Sequence, residues 1–141
     1  MTDFVTCYRF SKQGFKPQFQ SHLLEQAKQF YTEEFIEKNF PVHLRKYVFE
    51  NMTKAYCSEF DFNGIFVFTY KPSRTDYKFY LNHLKDKPSF KEDLHTIQLP
   101  SHTICYNDDG FCFRQENRKI LSELIGRPVY IPAKNIILKY N

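Results

Sequence analysis

The sequence predicts an α+β fold: a mixed, mainly antiparallel sheet with amphipathic helices packed on it. Three observations predict this. Some segments repeat apolar residues at helical spacing and others alternate residue by residue. The alternating segments come in pairs, the clearest flanking Asn107-Asp108-Asp109-Gly110, which favours antiparallel neighbours. The chain has 141 residues, suited to a single globular domain over 1–141, and 18% of it is aromatic, so rings fill much of the core.

Phe4 to Phe10 reads as a strand, with Phe4, Thr6, Tyr8 and Phe10 on one face and Val5, Cys7 and Arg9 on the other. Pro17 suits the first turn of a helix. Phe19, Leu23, Ala27, Tyr31 and Phe35 then repeat every four residues, which predicts a helix to about Lys38. Asn39-Phe40-Pro41 breaks it, and Leu44, Val48, Met52 and Ala55 form the stripe of a second helix. Phe60 to Tyr70 is a strand whose centre, Ile65-Phe66-Val67-Phe68, is apolar on both faces and so belongs mid-sheet. Gly64 marks a bulge or a close backbone approach.

Ser73-Arg74-Thr75-Asp76 is a capping box opening a helix that carries Tyr77, Tyr80, Leu81 and Leu84. Ser89-Phe90-Lys91-Glu92 reads as a second box and a shorter helix. Ser101–Tyr106 and Phe111–Arg114 form the arms of a hairpin. Ile120, Leu121, Leu124 and Ile125 make a helix stripe, with Gly126 as its cap and Pro128 as its stop. Val129–Ile131 and Ile136–Leu138 close the chain as two short strands.

The formal charge is +4, and its placement is informative. Residues 114–141 hold six basic groups against two acids, which accounts for the whole excess. Such a segment attracts anionic partners. Arg114, Arg118, Lys119, Arg127 and Lys134, with rings such as Tyr106, Phe111, Phe113 and Tyr130 among them, are the candidate nucleic-acid contacts. The usage of Lys, Asn, Phe, Tyr and Ile over Ala and Gly fits an AT-rich coding source such as a phage or mobile element. The start of the chain has no basic segment leading an apolar run, and no stretch is long enough to cross a membrane. A cytoplasmic protein with Cys7, Cys57, Cys105 and Cys112 as reduced thiols is the expectation.

Chemistry has weaker signals. His95, His102, Cys105 and Cys112 could supply a tetrahedral zinc site, but the spacing fits no zinc pattern and no Cys-x-x-Cys exists, so no metal is expected. The two His-Thr-Ile tripeptides are not phosphodiesterase motifs, because adjacent strand residues point to opposite faces. His102 and Tyr106, with Arg114, could share the hairpin as acid, base and phosphate ligand. Glu59 and Asp61 share a strand face as paired carboxylates do in metal-dependent phosphoryl enzymes. These four, Glu59, Asp61, His102 and Tyr106, are the catalytic candidates. No glycine-rich phosphate loop is present, so no nucleotide cofactor is expected. The sequence thus points to a small basic accessory or regulatory protein binding nucleic acid. The alternatives are a small phosphodiester-cleaving hydrolase and an inhibitor or immunity protein directed at a host protein.

Overall fold

The computed structural model describes residues 3–30, 33–46, 61–81, 87–108 and 117–136. A 7-stranded sheet dominates, and every pairing in it is antiparallel. Its strands are β1 (Phe4–Phe10), β2 (Gln18–Phe19), β3 (Asn63–Phe68), β4 (Leu94–Pro100), β5 (Ile104–Asn107), β6 (Arg118–Ile120) and β7 (Pro128–Pro132). The order is β4-β1-β3-β7-β5-β6, with β2 pairing β3 beside β1. The described helices are α1 (Ser21–Phe30), α2 (Glu33–Asn39) and α3 (Arg74–Leu81), and residues 42–46 are also helical.

The sheet cannot be flat. Residues 101–103 alone join β4 to β5, yet these strands stand four places apart in the order. Four strand spacings of about 4.8 Å come to about 19 Å, beyond the ~14 Å that four residue steps can reach. The curl is held where Leu121 N–H donates to Thr103 O (2.9 Å) and Ser122 N–H to Ser101 O (3.0 Å). Alternation then sorts the side chains. Val5, Cys7, Ile65, Val67, Leu99, Cys105, Val129 and Ile131 line the concave side, with Leu121 and Leu124 closing it. The outer face is aromatic. Phe66 meets Tyr130 with centroids 4.9 Å apart, and Phe10 and Phe68 meet edge-on at 6.0 Å. Two rings of α3 reach this face, Tyr77 to Phe10 at 5.1 Å and Tyr80 to Phe68 at 5.2 Å.

β3 is central, as its composition predicts: Ile65, Val67 and Phe68 are buried, and Phe66 is half-buried. Gly64 marks a close approach. A Cβ there would lie 2.5 Å from Ile131 O and 2.6 Å from the Tyr130 hydroxyl. That hydroxyl donates to Asp61 O at 2.6 Å, so the missing side chain makes room for a ring bridging two strands. The Ser73–Asp76 box is formed, Ser73 N–H to Asp76 Oδ2 at 2.9 Å and Asp76 N–H to Ser73 Oγ at 3.2 Å. Gly126 adopts φ +85°, the left-handed backbone expected of it.

Several expectations are corrected. Pro17 leads into β2, not a helix. Gln18 and Phe19 pair with Gly64 and Asn63, Gln20 N–H donates to Phe62 O at 2.7 Å, and the helix starts only at Ser21. Phe19, assigned to the helical stripe, is therefore a strand residue and 48% exposed. Beyond Ser21 the described residues are helical as predicted to about Lys38, in α1 and α2, with 31–32 outside the described residues. The Ser89 box closes one turn only. Asp93 accepts Ser89 N–H on its carboxylate and donates its own N–H to Ser89 O at 3.2 Å. Ser11 N–H then captures Asp93 O at 3.0 Å and draws the chain into β4, a strand the sequence reading did not assign.

The stripe from Ile120 to Ile125 is not an α-helix. Ile120 ends β6, and Leu121–Leu124 is a 3-10 turn that buries Leu121 and Leu124 while Ile125 stays 57% exposed. The reason is the pair of backbone bonds to Thr103 and Ser101, which spend the donors a longer helix would use. β5 pairs with Arg118–Ile120, and the predicted arm Phe111–Arg114 lies outside the described residues. So do most of the second helix, Leu84 and residues 137–138. Ala133–Asn135 is a 3-10 turn. No described helix is long and apolar enough to cross a membrane.

Candidate functional site

The catalytic candidates stand apart. His102 is exposed on the turn between β4 and β5. Tyr106 is buried within β5, opposite Tyr130 and Arg118. Asp61 is a turn-former: its Oδ1 accepts Asn63 N–H at 2.9 Å and its Oδ2 accepts Lys134 N–H at 3.2 Å. Glu59 lies outside the described residues. Cys7 and Cys105 are free and buried, and burial pushes both thiols up to about 12. At neutral pH they are protonated core groups, unsuited to nucleophilic attack. Among the described residues no three His, Cys, Asp or Glu side chains gather as metal ligands.

The candidate cations are exposed but dispersed. Arg118 and Lys119 are consecutive on β6, so they point to opposite faces. Arg127 and Lys134 bracket β7, seven positions apart: five strand steps of about 3.3 Å and two 3-10 steps of about 2.0 Å set them about 20 Å apart along the chain. Arg114 and the rings Phe111 and Phe113 lie outside the described residues. Tyr106 and Tyr130 are core rings, closed to stacking with a ligand.

A described opening lies elsewhere, along the seam between β1 and β3. The hydrogen-bond parity of β1 explains it. Ser101 N–H donates to Asp3 O (2.8 Å) and Ser11 N–H to Asp93 O (3.0 Å), two bonds in line with the register that pairs Phe4 with Pro100 and Phe10 with Leu94. Bonded pairs alternate in an antiparallel ladder. The odd residues of β1 therefore turn their backbone groups to β4, and Phe4, Thr6, Tyr8 and Phe10 turn theirs toward β3. Pro100 fits this pattern, since Phe4 asks nothing of its missing N–H. Yet β1 meets β3 at a single pair, Tyr8 with Phe68.

On one side of that pair the gap is filled. Phe66 O, which would face Phe10, accepts the Arg9 guanidinium Nη1 at 3.0 Å. Arg9 also donates through Nε to Gly14 O at 3.0 Å and through Nη2 to the Gln18 side-chain oxygen at 3.2 Å. It is 4% exposed. Two residues further on, β2 takes up the β3 edge at Gly64.

On the other side β3 leaves β1. Thr69 N–H donates to Arg127 O at 3.1 Å, and the Thr69 hydroxyl sits 2.8 Å from Leu124 O and accepts Arg127 N–H at 3.0 Å. Tyr70 is drawn to the α3 cap, its hydroxyl donating to Asp76 Oδ1 at 3.0 Å. Partial burial, then that bond and the Asp76 charge, push the Tyr70 phenol up to about 12. The result is a groove of about 410 Å³ between β1 and residues 69–71, within the size range of ligand sites. Its walls carry hydroxyls from Thr6, Tyr8, Thr69, Tyr70, Ser101 and Ser122, its rim the exposed Phe4 and Ile125, and among the described lining residues Lys71 is the charged one.

No pattern in the sequence marks this groove. Phe4, Thr6 and Tyr8 share a strand face as their alternation predicts, but it is the paths of Thr69 and Tyr70 that take the neighbour from this strand. Comparison of the chain with known protein families, with curated protein sequences and with solved structures found no match.

Proposed function

We propose that this chain is a small basic accessory protein that binds a macromolecular partner and performs no chemistry itself, with nucleic acid the first partner to test. The observation that carries this reading is the placement of charge. All the net charge belongs to residues 114–141, and the described cations there, Arg118, Lys119, Arg127 and Lys134, are exposed on the β5–β6–β7 half of the sheet. Cations spread along about 20 Å suit successive phosphates of a strand better than one compact anion. With Tyr106 and Tyr130 in the core, affinity would come from phosphates and would be indifferent to sequence.

The hydrolase alternative has less behind it. Its described candidates are an exposed histidine, a buried tyrosine and a carboxylate engaged by two backbone amides. The reading of a protein-directed partner is favoured by a separate observation, the open edge of β1.

The test is a titration with single- and double-stranded oligonucleotides at two salt concentrations. Binding should weaken steeply with salt, because each neutralised phosphate releases counterions. Reversing the charges of Arg118 and Lys119 together should lower affinity for all sequences alike, and reversing Lys12 and Lys16 should matter much less. Absence of binding at low salt would remove the nucleic-acid reading.

A further inference from the structure

We infer that the groove beside β1 is a strand-docking site for an extended peptide segment of a protein partner, one that alternates apolar with hydroxyl side chains and carries an acidic residue. Phe4 and Thr6 turn their N–H and C=O groups into the groove, and no described strand pairs with them there. Two residues apart on one strand, they present donor–acceptor pairs about 6.6 Å apart, the repeat that another extended backbone matches. A nucleic-acid strand has no backbone N–H to return to the Phe4 and Thr6 carbonyls. Docking here would continue a ladder that already runs through Tyr8 and Phe68.

The surroundings specify the rest. Phe4 and Ile125, 52% and 57% exposed, flank the opening and suit apolar side chains. Lys71 is the charged group among the described lining residues and suits a carboxylate. The outer edge of β4 also has no partner among the described strands, but the groove adds walls and a charge, and so a preference. This inference is independent of the nucleic-acid reading, which uses other residues and is tested by another titration.

The probes are acetylated, amidated hexapeptides alternating valine or phenylalanine with threonine, each carrying one aspartate. Two N-methylated versions of each are made, one methylated on odd residues and one on even residues. Strand addition uses one edge of the peptide, so one version should bind like the parent and the other should lose at least tenfold in affinity. The parent should slow amide exchange at Phe4 and Thr6 at least tenfold. Lys71→Glu should reverse the preference between an aspartate-bearing peptide and its lysine counterpart.

The inference is overturned if no peptide protects Phe4 and Thr6 at millimolar concentration, or if both N-methylated versions bind alike. Protection confined to the outer edge of β4 overturns it too. So does protection of Phe4 and Thr6 by a thymidine oligonucleotide and not by the peptides, which would move the nucleic-acid site to this groove.

Discussion

The two ends of the β1–β3 seam meet the same problem in opposite ways. Both flank the single pair Tyr8–Phe68, and at both the strands part. At the Arg9 end the polar groups exposed by the parting are satisfied internally. A buried guanidinium takes Phe66 O, Gly14 O and the Gln18 side chain, and β2 continues the edge. At the Thr69 end, β3 is held toward β7 by Thr69 and toward α3 by Tyr70, and the groups of Phe4 and Thr6 are left facing a groove. A buried gap must be closed because an unsatisfied polar group costs about 1–3 kcal/mol. A gap open to water carries no such cost and is available to a ligand. The difference separates a structural seam from a recognition surface within one strand.

Proline substitutions give the sharpest contrast within β1. Val5 donates into the β4 ladder and is buried, so Val5→Pro should cost ~3 kcal/mol or more by chemical denaturation. Thr6 faces the groove, so Thr6→Pro should cost only about 1 kcal/mol, as on a sheet edge. Equal losses would mean that both residues are laddered and that the seam is closed.

Arg9→Met keeps the apolar stem and deletes three donated bonds at a buried position. It should destabilise the fold by about 3 kcal/mol, since hydrogen bonds from charged groups are the stronger ones and the carbonyls are left dry. A loss below ~1 kcal/mol would show that the Phe66 end is solvated like the other.

Thr69→Val retains shape and removes the hydroxyl that ties β3 to residues 124–127. A loss of about 1.5 kcal/mol is expected, with altered chemical shifts along the groove. No shift change at Phe4 or Thr6 would mean that Thr69 does not set the width of the opening.

The smallest effect concerns the α3 cap that anchors Tyr70. Partial burial of Asp76 acts to raise its pKa, but bonds from the Ser73 amide, the Ser73 hydroxyl and the Tyr70 hydroxyl outweigh it and hold the carboxyl below the ordinary aspartate value. A depressed folded pKa means stability that is fully present above the ordinary carboxylate range and lost as pH falls through the lower folded value. Because the site is close to solvent, the contribution should stay below about 1 kcal/mol, within the range of a cap. Asp76→Asn should flatten this part of the pH–stability curve, and an unchanged curve would remove Asp76 as the anchor.

How far the sequence could be read follows from the range of the forces involved. β1, the core of β3, the Ser73 box and the Gly126 cap rest on contacts within a few residues, and all were legible. Gly64 was legible as a close approach, though not as a seat for Tyr130. β2 and β4 were not, because each is a strand only by virtue of distant partners: β2 on Gly64 and Asn63, β4 on all seven residues of β1. Leu121 and Leu124 read as an α stripe because a three-residue spacing serves a 3-10 turn equally well. The basic segment was legible as charge but not as geometry, since alternation on β6 and the length of β7 spread its members. The groove had no local signature, because it is made where β3 turns from β1.

Amide hydrogen exchange along β1 in the isolated protein tests the open seam most directly. The N–H groups of Val5 and Cys7 point into the β4 ladder and should be strongly protected, and that of Tyr8, bonded to Phe68, likewise. The N–H of Thr6, between them in sequence but facing the groove, should exchange at least tenfold faster than either neighbour. Uniform protection from Val5 to Tyr8 would contradict the account, because it would require a partner for Thr6 on the β3 side.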